Sequence, residues 1–190
     1  MIFYLVLIIG TAIITTIFSS IFHTFFGLDL WFTLIYPSIM VITIIAIDGL
    51  FAFLIRRLPN KRFDESHIGF SAGKKEANFY EKMQIKKRKD KVPELGGFTS
   101  FHKDKIDDPY NTDYLKRYIL EANYGLLGHM FGAILGFAIL AIPPYQTWYA
   151  INLPIAIVNC FLSLIPMFIL RYNLRKLHIL YKFASRKTNK

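Results

Sequence analysis

Residues 31–57 read WFTLIYPSIMVITIIAIDGLFAFLIRR. From Trp31 to Ile55 the only charge is Asp48, and the run stops at Arg56-Arg57 and Pro59. About 20 apolar residues in a helix cross the roughly 30 Å hydrocarbon core of a bilayer. This stretch therefore predicts a transmembrane helix over 31–55, with the arginine pair marking its boundary. Trp31 stands where an interfacial aromatic belongs. Pro37 fits the first turn of a helix or a kink. Asp48 lies eight residues before Arg56, roughly 12 Å inside the basic boundary at the rise of a helix.

Working outward, three more stretches have the same character. Residues 2–22 are an uninterrupted apolar segment. No basic residue precedes it and no small-x-small cleavage site follows, so it is expected to be a retained helix rather than a signal peptide. Residues 121–142 form a third span, in which Gly125, Gly128, Gly132 and Gly136 recur at three- and four-residue spacing. That is the small-xxx-small pattern of close helix contact in membranes. Pro143-Pro144 ends it, and Tyr145, Trp148 and Tyr149 supply an aromatic belt. The fourth span covers 148–170, with kinks expected at Pro154 and Pro166. Hydrophobic residues make up 54% of the chain, too many for a soluble domain of this size. The fold class is all-α: a single membrane domain of four transmembrane helices.

The 23 Lys and Arg residues lie either between Arg56 and Arg117 or between Arg171 and Lys190. The connections near 23–30 and 143–147 contain none. The positive-inside rule places the N-terminus, the 56–120 loop and the 171–190 tail in the cytoplasm of a multi-pass cell-membrane protein. Within the loop, KKEANFYEKMQIKKRKDK at 74–91 sets Phe79, Met83 and Ile85 amid charge, as expected of an amphipathic, basic helix lying on the membrane. Asn111 or Thr112 can cap the helix that follows, which starts on the surface and runs into the third span. The lone Cys160 excludes an intramolecular disulfide framework and a CxxC metal site.

Ionisable groups inside a membrane are costly and point to function. Asp48 and His129 lie at similar depth in the second and third spans, and the glycine stripe beside His129 would let these helices approach. A carboxylate on one ring nitrogen would fix the tautomer and raise the basicity of the other. A purely structural bond between helices is the competing reading. Glu121, at the interface, is eight residues and about 80° around the helix from His129, so the two do not touch on a straight helix. The run Lys86, Lys87, Arg88, Lys89 either meets anionic lipid or clamps a phosphate-bearing donor or head group. Arg171, Tyr172 and Asn173 at the end of the last span are membrane anchors or a head-group site. His102 and Asp107 make an H-x4-D spacing, read as accidental within a charged loop. Nucleic acid is a poor partner for a basic run tethered to a bilayer. No cofactor or metal site is indicated.

From Phe79-Tyr80-Glu81-Lys82 through Ile85-Lys86-Lys87, Lys89-Asp90 and Pro93-Glu94 to Glu121 and His129, the chain resembles the glycosyl-4,4′-diaponeurosporenoate acyltransferase family. These are small bacterial membrane proteins of carotenoid glycolipid biosynthesis. The likeness extends to residues 48–59 and to Arg171-Tyr172-Asn173, with Arg88 standing where the family has Trp. The resemblance implies acyl transfer to a sugar hydroxyl of a glycolipid. The residues themselves suggest the rest: a fatty acyl group would pass from a cytoplasmic thioester donor, acyl-CoA or an acyl-carrier protein, to a lipid-linked hydroxyl, with His129 as the base, Asp48 its orienting partner, Glu121 the acceptor's positioner, and residues 86–89 and 171–173 binding donor or head group. Membrane lipids are partners on any reading. The rivals are a non-enzymatic lipid-binding scaffold and a small transporter relaying through Asp48.

Overall fold

A computed structural model describes residues 2–82, 106 and 108–188. It contains five α-helices among the described residues: α1 Ile2–Ile21, α2 Leu30–Arg56, α3 Lys74–Lys82, α4 Thr112–Leu135 and α5 Leu153–Thr188. Four of these segments are long and apolar enough to cross a membrane. The chain is an all-helical membrane protein, and its residues divide into two compact units. One holds Ile2–Phe53 and Gly128–Leu164; the other holds the described residues of Leu54–Leu127 and Ile165–Lys190. We call them the apolar unit and the charged unit.

In the apolar unit, α1 ends in a turn through Gly27, whose φ of 64° lies in the left-handed region that favours glycine. Asp29 then starts α2: its Oδ1 accepts from the backbone N–H of Trp31 at 2.8 Å and of Phe32 at 3.4 Å. Pro37, inside α2, has no N–H for the carbonyl of Thr33. Ser19 of α1 donates its hydroxyl to that carbonyl at 3.5 Å, and Ser20 and Thr33 share a hydroxyl bond at 3.2 Å. A neighbouring helix thus satisfies the backbone group that the proline leaves over, as lipid requires.

Tyr36, Met40, Val41 and Ile44 of α2 make the core with Ile139, Ala150, Ile151, Ile155 and Ala156. The third span leaves α-helical geometry at Gly136 and continues as a 3₁₀ segment to Ala141. Asn152, fully buried, ties this segment to the fourth span by donating to the Ile139 carbonyl at 3.0 Å and the Ile142 carbonyl at 3.5 Å.

In the charged unit, Asn111 caps α4, its Oδ1 accepting from Asp113 and Tyr114, each at 3.0 Å. Leu115, Tyr118, Ile119, Ala122 and Leu126 of α4 pack with Leu170, Leu174, Leu177 and Ala184 of α5. The last helix does not stop near residue 170, where the sequence gives way to basic residues. It runs on to Thr188, because Leu170, Leu174, Leu177, Tyr181 and Ala184 repeat at four- and three-residue steps beneath the charges. The helix α3 is docked by Ala77 and Tyr80 against Ile169 and Tyr172, and leaves Phe79 exposed. The remainder of the expected amphipathic segment, 83–91, lies outside the described residues.

Candidate functional site

The apolar unit builds its polar site from three helix faces. On α2, Ile44, Asp48 and Ala52 form a row four residues apart. On α4 and its continuation, Gly128, Gly132 and Gly136 form another. A Cβ on Gly128 would lie 4.0 Å from Ala52, one on Gly132 3.1 Å from Asp48 Oδ1, and one on Gly136 3.2 Å from Ile44. Each four-residue step forward on α4 meets a step backward on α2, so the two run antiparallel with the glycine row at their contact. The row also faces α5. The same Cβ on Gly132 would lie 3.2 Å from Ser163 Oγ, and that on Gly136 only 2.6 Å from Asn159 Nδ2. Glycine is required at this contact because two neighbours reach the same backbone at once.

Asn159 donates to the Gly132 carbonyl at 3.2 Å, on the same glycine whose Cβ would meet the Asp48 carboxyl. The carboxyl oxygen Oδ1 is buried and has no hydrogen-bond partner among the described residues. Ser163, 6% exposed, closes the other side. Asp48 is therefore brought to Gly132, Asn159 and Ser163. His129, half-buried, stands three residues before Gly132, about 60° around the helix and roughly 4.5 Å along it. Asn159 and Ser163 were not singled out from sequence. The available signal was two polar residues four apart in an apolar span, hence on one face.

The other expected site residues lie in the charged unit. Glu121, on α4, is paired with Arg56 Nη2 at 3.0 Å. Beyond it, Tyr124 donates to the Leu58 carbonyl at 2.9 Å and to Asn60 Oδ1 at 2.7 Å, and Asn123 donates to the Phe63 carbonyl at 2.8 Å. Arg171 grips Glu76 with a fork: Nε to Oε1 at 2.7 Å and Nη2 to Oε2 at 2.8 Å. The Tyr80 hydroxyl joins the same carboxylate. The Arg171 hydrogen bond is the main reason the Glu76 carboxyl sits below its ordinary range, while burial and then Glu76 push the Tyr80 hydroxyl up to about 12. Tyr172 donates to Glu81 at 3.2 Å, with the Lys176 ammonium 4.2 Å over its ring. Asn173 is half-buried on α5. Lys86, Lys87, Arg88 and Lys89, and with them His102 and Asp107, lie outside the described residues.

Two further groupings are visible in this unit. A pocket of about 220 Å³ is lined by Asn60, Lys61, Asp64, Glu65, Lys116, Arg117 and Leu120. Near it, Asp64, Ser66 and His67 form a Ser/His/Asp contact. There both the Ser66 hydroxyl and the Asp64 carboxylate meet one ring nitrogen, Nδ1, each at 3.1 Å. A proton relay needs the two partners on different ring nitrogens, so this is an exposed turn rather than a triad.

No curated protein and no solved structure matches the chain. The model of the glycosyl-4,4′-diaponeurosporenoate acyltransferase family matches residues 59–182, which takes in Glu121, His129, Asn159, Ser163 and Arg171 and begins after Asp48. That match spans well over half of the sequence, and the chain belongs to the glycosyl-4,4′-diaponeurosporenoate acyltransferase family.

Proposed function

We propose that the protein is an integral-membrane acyltransferase. It moves a fatty acyl group from a thioester donor, acyl-CoA or an acyl-carrier protein, to a hydroxyl of a lipid-linked acceptor. Glycosyl-4,4′-diaponeurosporenoate, the compound in the family's name, is the first acceptor to test. The observation that carries this reading is the family match over residues 59–182. The polar site within apolar helices supports it, because a carboxyl there needs a chemical reason to be retained.

In this reading His129 takes the proton of the acceptor hydroxyl as its oxygen attacks the thioester carbonyl. The C–O bond forms, the C–S bond breaks, and the imidazolium returns the proton to the departing thiolate. Asp48 orients the imidazole and stabilises its charged form. Glu121, held by Arg56, positions the acceptor. The basic run 86–89 meets the donor's phosphates or the head group. Arg171, engaged by Glu76, contributes by fixing α3, from which that run follows in sequence, with Tyr172 and Asn173 beside it. The segregation of Lys and Arg supports a cytoplasmic large loop and termini, with the donor arriving from that side.

The test is lipid mass spectrometry of membranes from cells that make the glycosylated carotenoid acid and express this chain. A species heavier by one fatty acyl group is expected. If expression changes no lipid, the enzymatic reading fails and a lipid-binding scaffold takes its place.

A further inference from the structure

Asp48 is not held by its own helix. Its carboxyl and the Asn159 amide of α5 meet at one residue of the third span: Asn159 is anchored by the Gly132 carbonyl at 3.2 Å, and a Cβ on Gly132 would lie 3.1 Å from Asp48 Oδ1. Both contacts need missing side chains. A Cβ at Gly136 would press to 2.6 Å on the Asn159 amide, and one at Gly132 would crowd Asp48 Oδ1 at 3.1 Å and Ser163 Oγ at 3.2 Å. A contact under 3.0 Å forces something to shift, and here the atom that must move is the Asn159 amide itself. By contrast Gly128, in the same row, would accept a methyl at ordinary contact with Ala52. The row therefore does more than bring helices together. Two of its three members make room for polar side chains and the third does not.

We infer that Asn159 and Ser163 are positioning residues for Asp48, seated in sockets formed by Gly136 and Gly132. Asn159, anchored beside the carboxyl, limits how it can turn and so sets the direction of Oδ1, the buried oxygen without a partner among the described residues. Ser163 bounds the same space, its Oγ 3.2 Å from where a Cβ on Gly132 would lie. Displacing a reacting group by about 1 Å can cost on the order of 100-fold in rate, so a carboxyl that has lost its tether loses turnover without losing substrate affinity. The inference rests on the acyltransferase reading and goes beyond it in naming what holds the acid in place.

The test uses the full chain in membranes, with a long-chain acyl-CoA and glycosyl-4,4′-diaponeurosporenoate as probes. Rates are taken per amount of folded protein, fixed by thermal unfolding. Asn159→Ala is expected to lower kcat about 10- to 100-fold with KM for both probes nearly unchanged. Gly136→Ala is expected to give a similar loss, because its methyl takes the amide's place. The double variant should be no worse than Asn159→Ala alone, since the group that the methyl displaces is already gone. Ser163→Ala should show a smaller loss, and Gly128→Ala none. If Asn159→Ala does not fold, the isosteric Asn159→Asp keeps the shape, removes the donor to Gly132, and should lose kcat likewise. Full kcat in a folded Asn159 variant, or losses in the double variant that multiply, overturns this inference alone. A wild-type protein inactive with both probes overturns the acyltransferase reading and this inference with it.

Discussion

The apolar unit and the charged unit are held together by different means. In the apolar unit helices meet through absent side chains, and isolated hydroxyls turn back on their own helix. Thr11 donates to the Leu7 carbonyl, Thr15 to that of Thr11 and Thr43 to that of Ile39, each within 2.8 Å. Its outward faces carry large apolar groups, such as Ile14 at 68% exposure. Lipid is as apolar as those side chains, so burying them gains little, and close packing and interhelical polar bonds must supply the specificity. The charged unit uses the opposite resources. A leucine seam between α4 and α5 gains from leaving water. Pairs formed across the sequence, Arg171 with Glu76 and Arg56 with Glu121, set the register of what surrounds it. The difference teaches where a polar side chain is informative. In the charged unit an ion pair is ordinary construction, and in the apolar unit a carboxyl is an exception.

If chemistry belongs to the apolar unit and assembly to the charged one, the largest effect is His129→Ala. It should lower acyl transfer by about 10²- to 10⁴-fold, the usual contribution of a general base, while thermal unfolding in detergent stays close to wild type. His102→Ala should leave the rate nearly intact. Activity retained in His129→Ala and lost in His102→Ala would move the site into the loop and break the comparison.

Packing by absence can be tested next. Gly132→Leu forces a branched side chain against Asp48 and Ser163 and should destabilise by about 1–3 kcal/mol or more. Gly10→Leu, with nothing within 4 Å, should remain within about 0.5 kcal/mol of wild type. Equal effects at the two glycines, followed by denaturant titration in micelles, would refute the close-contact account.

In the charged unit Arg171→Ala leaves the Glu76 carboxylate without its fork. Hydrogen bonds to charged groups contribute about 1.5–3 kcal/mol, and exposures near 30% for both side chains favour the lower end. This contribution is also pH-dependent. The folded Glu76 carboxyl is held below its ordinary value, chiefly by Arg171. A lowered folded value means stability that is present above the unfolded glutamate value and is lost as pH falls through the folded one. Wild-type stability should therefore decline in that acid window, and Arg171→Ala should flatten the decline. An unchanged slope would show that the pair carries no linkage. A smaller loss than that of Arg171→Ala is expected for Tyr124→Phe, about 1 kcal/mol for the bonds to Leu58 and Asn60, read from the same melts.

The sequence reveals most readily what has a period. Four spans, the Asn111 cap and the glycine row were all readable, since each rests on local spacing. The continuation of α5 was hidden because Arg175, Lys176, Lys182, Arg186 and Lys187 dominate the tail to the eye, while the leucine repeat beneath them is what packs. The partner of Arg171 was not readable at all. Glu76 lies 95 positions away, and nothing local marks a carboxylate for one guanidinium among the 23 basic residues of loop and tail. A similar limit applies to Asp48. Depth alone put it level with His129, but its direct neighbours Gly132, Asn159 and Ser163 depend on how three helices face one another.

Gly128, Gly132 and Gly136 also differ in what they allow a lineage to change. Gly128 can drift to alanine at ordinary contact distance. Gly132 can do so only if Asp48 and Ser163 yield by a few tenths of an ångström. Gly136 can do so only by displacing the amide at position 159. Substitution at 136 therefore costs the amide its place, and costs less once that amide is already gone. A saturation library of this helix scored for membrane insertion and for acyl transfer should show substitutions at 136 tolerated better when position 159 is small.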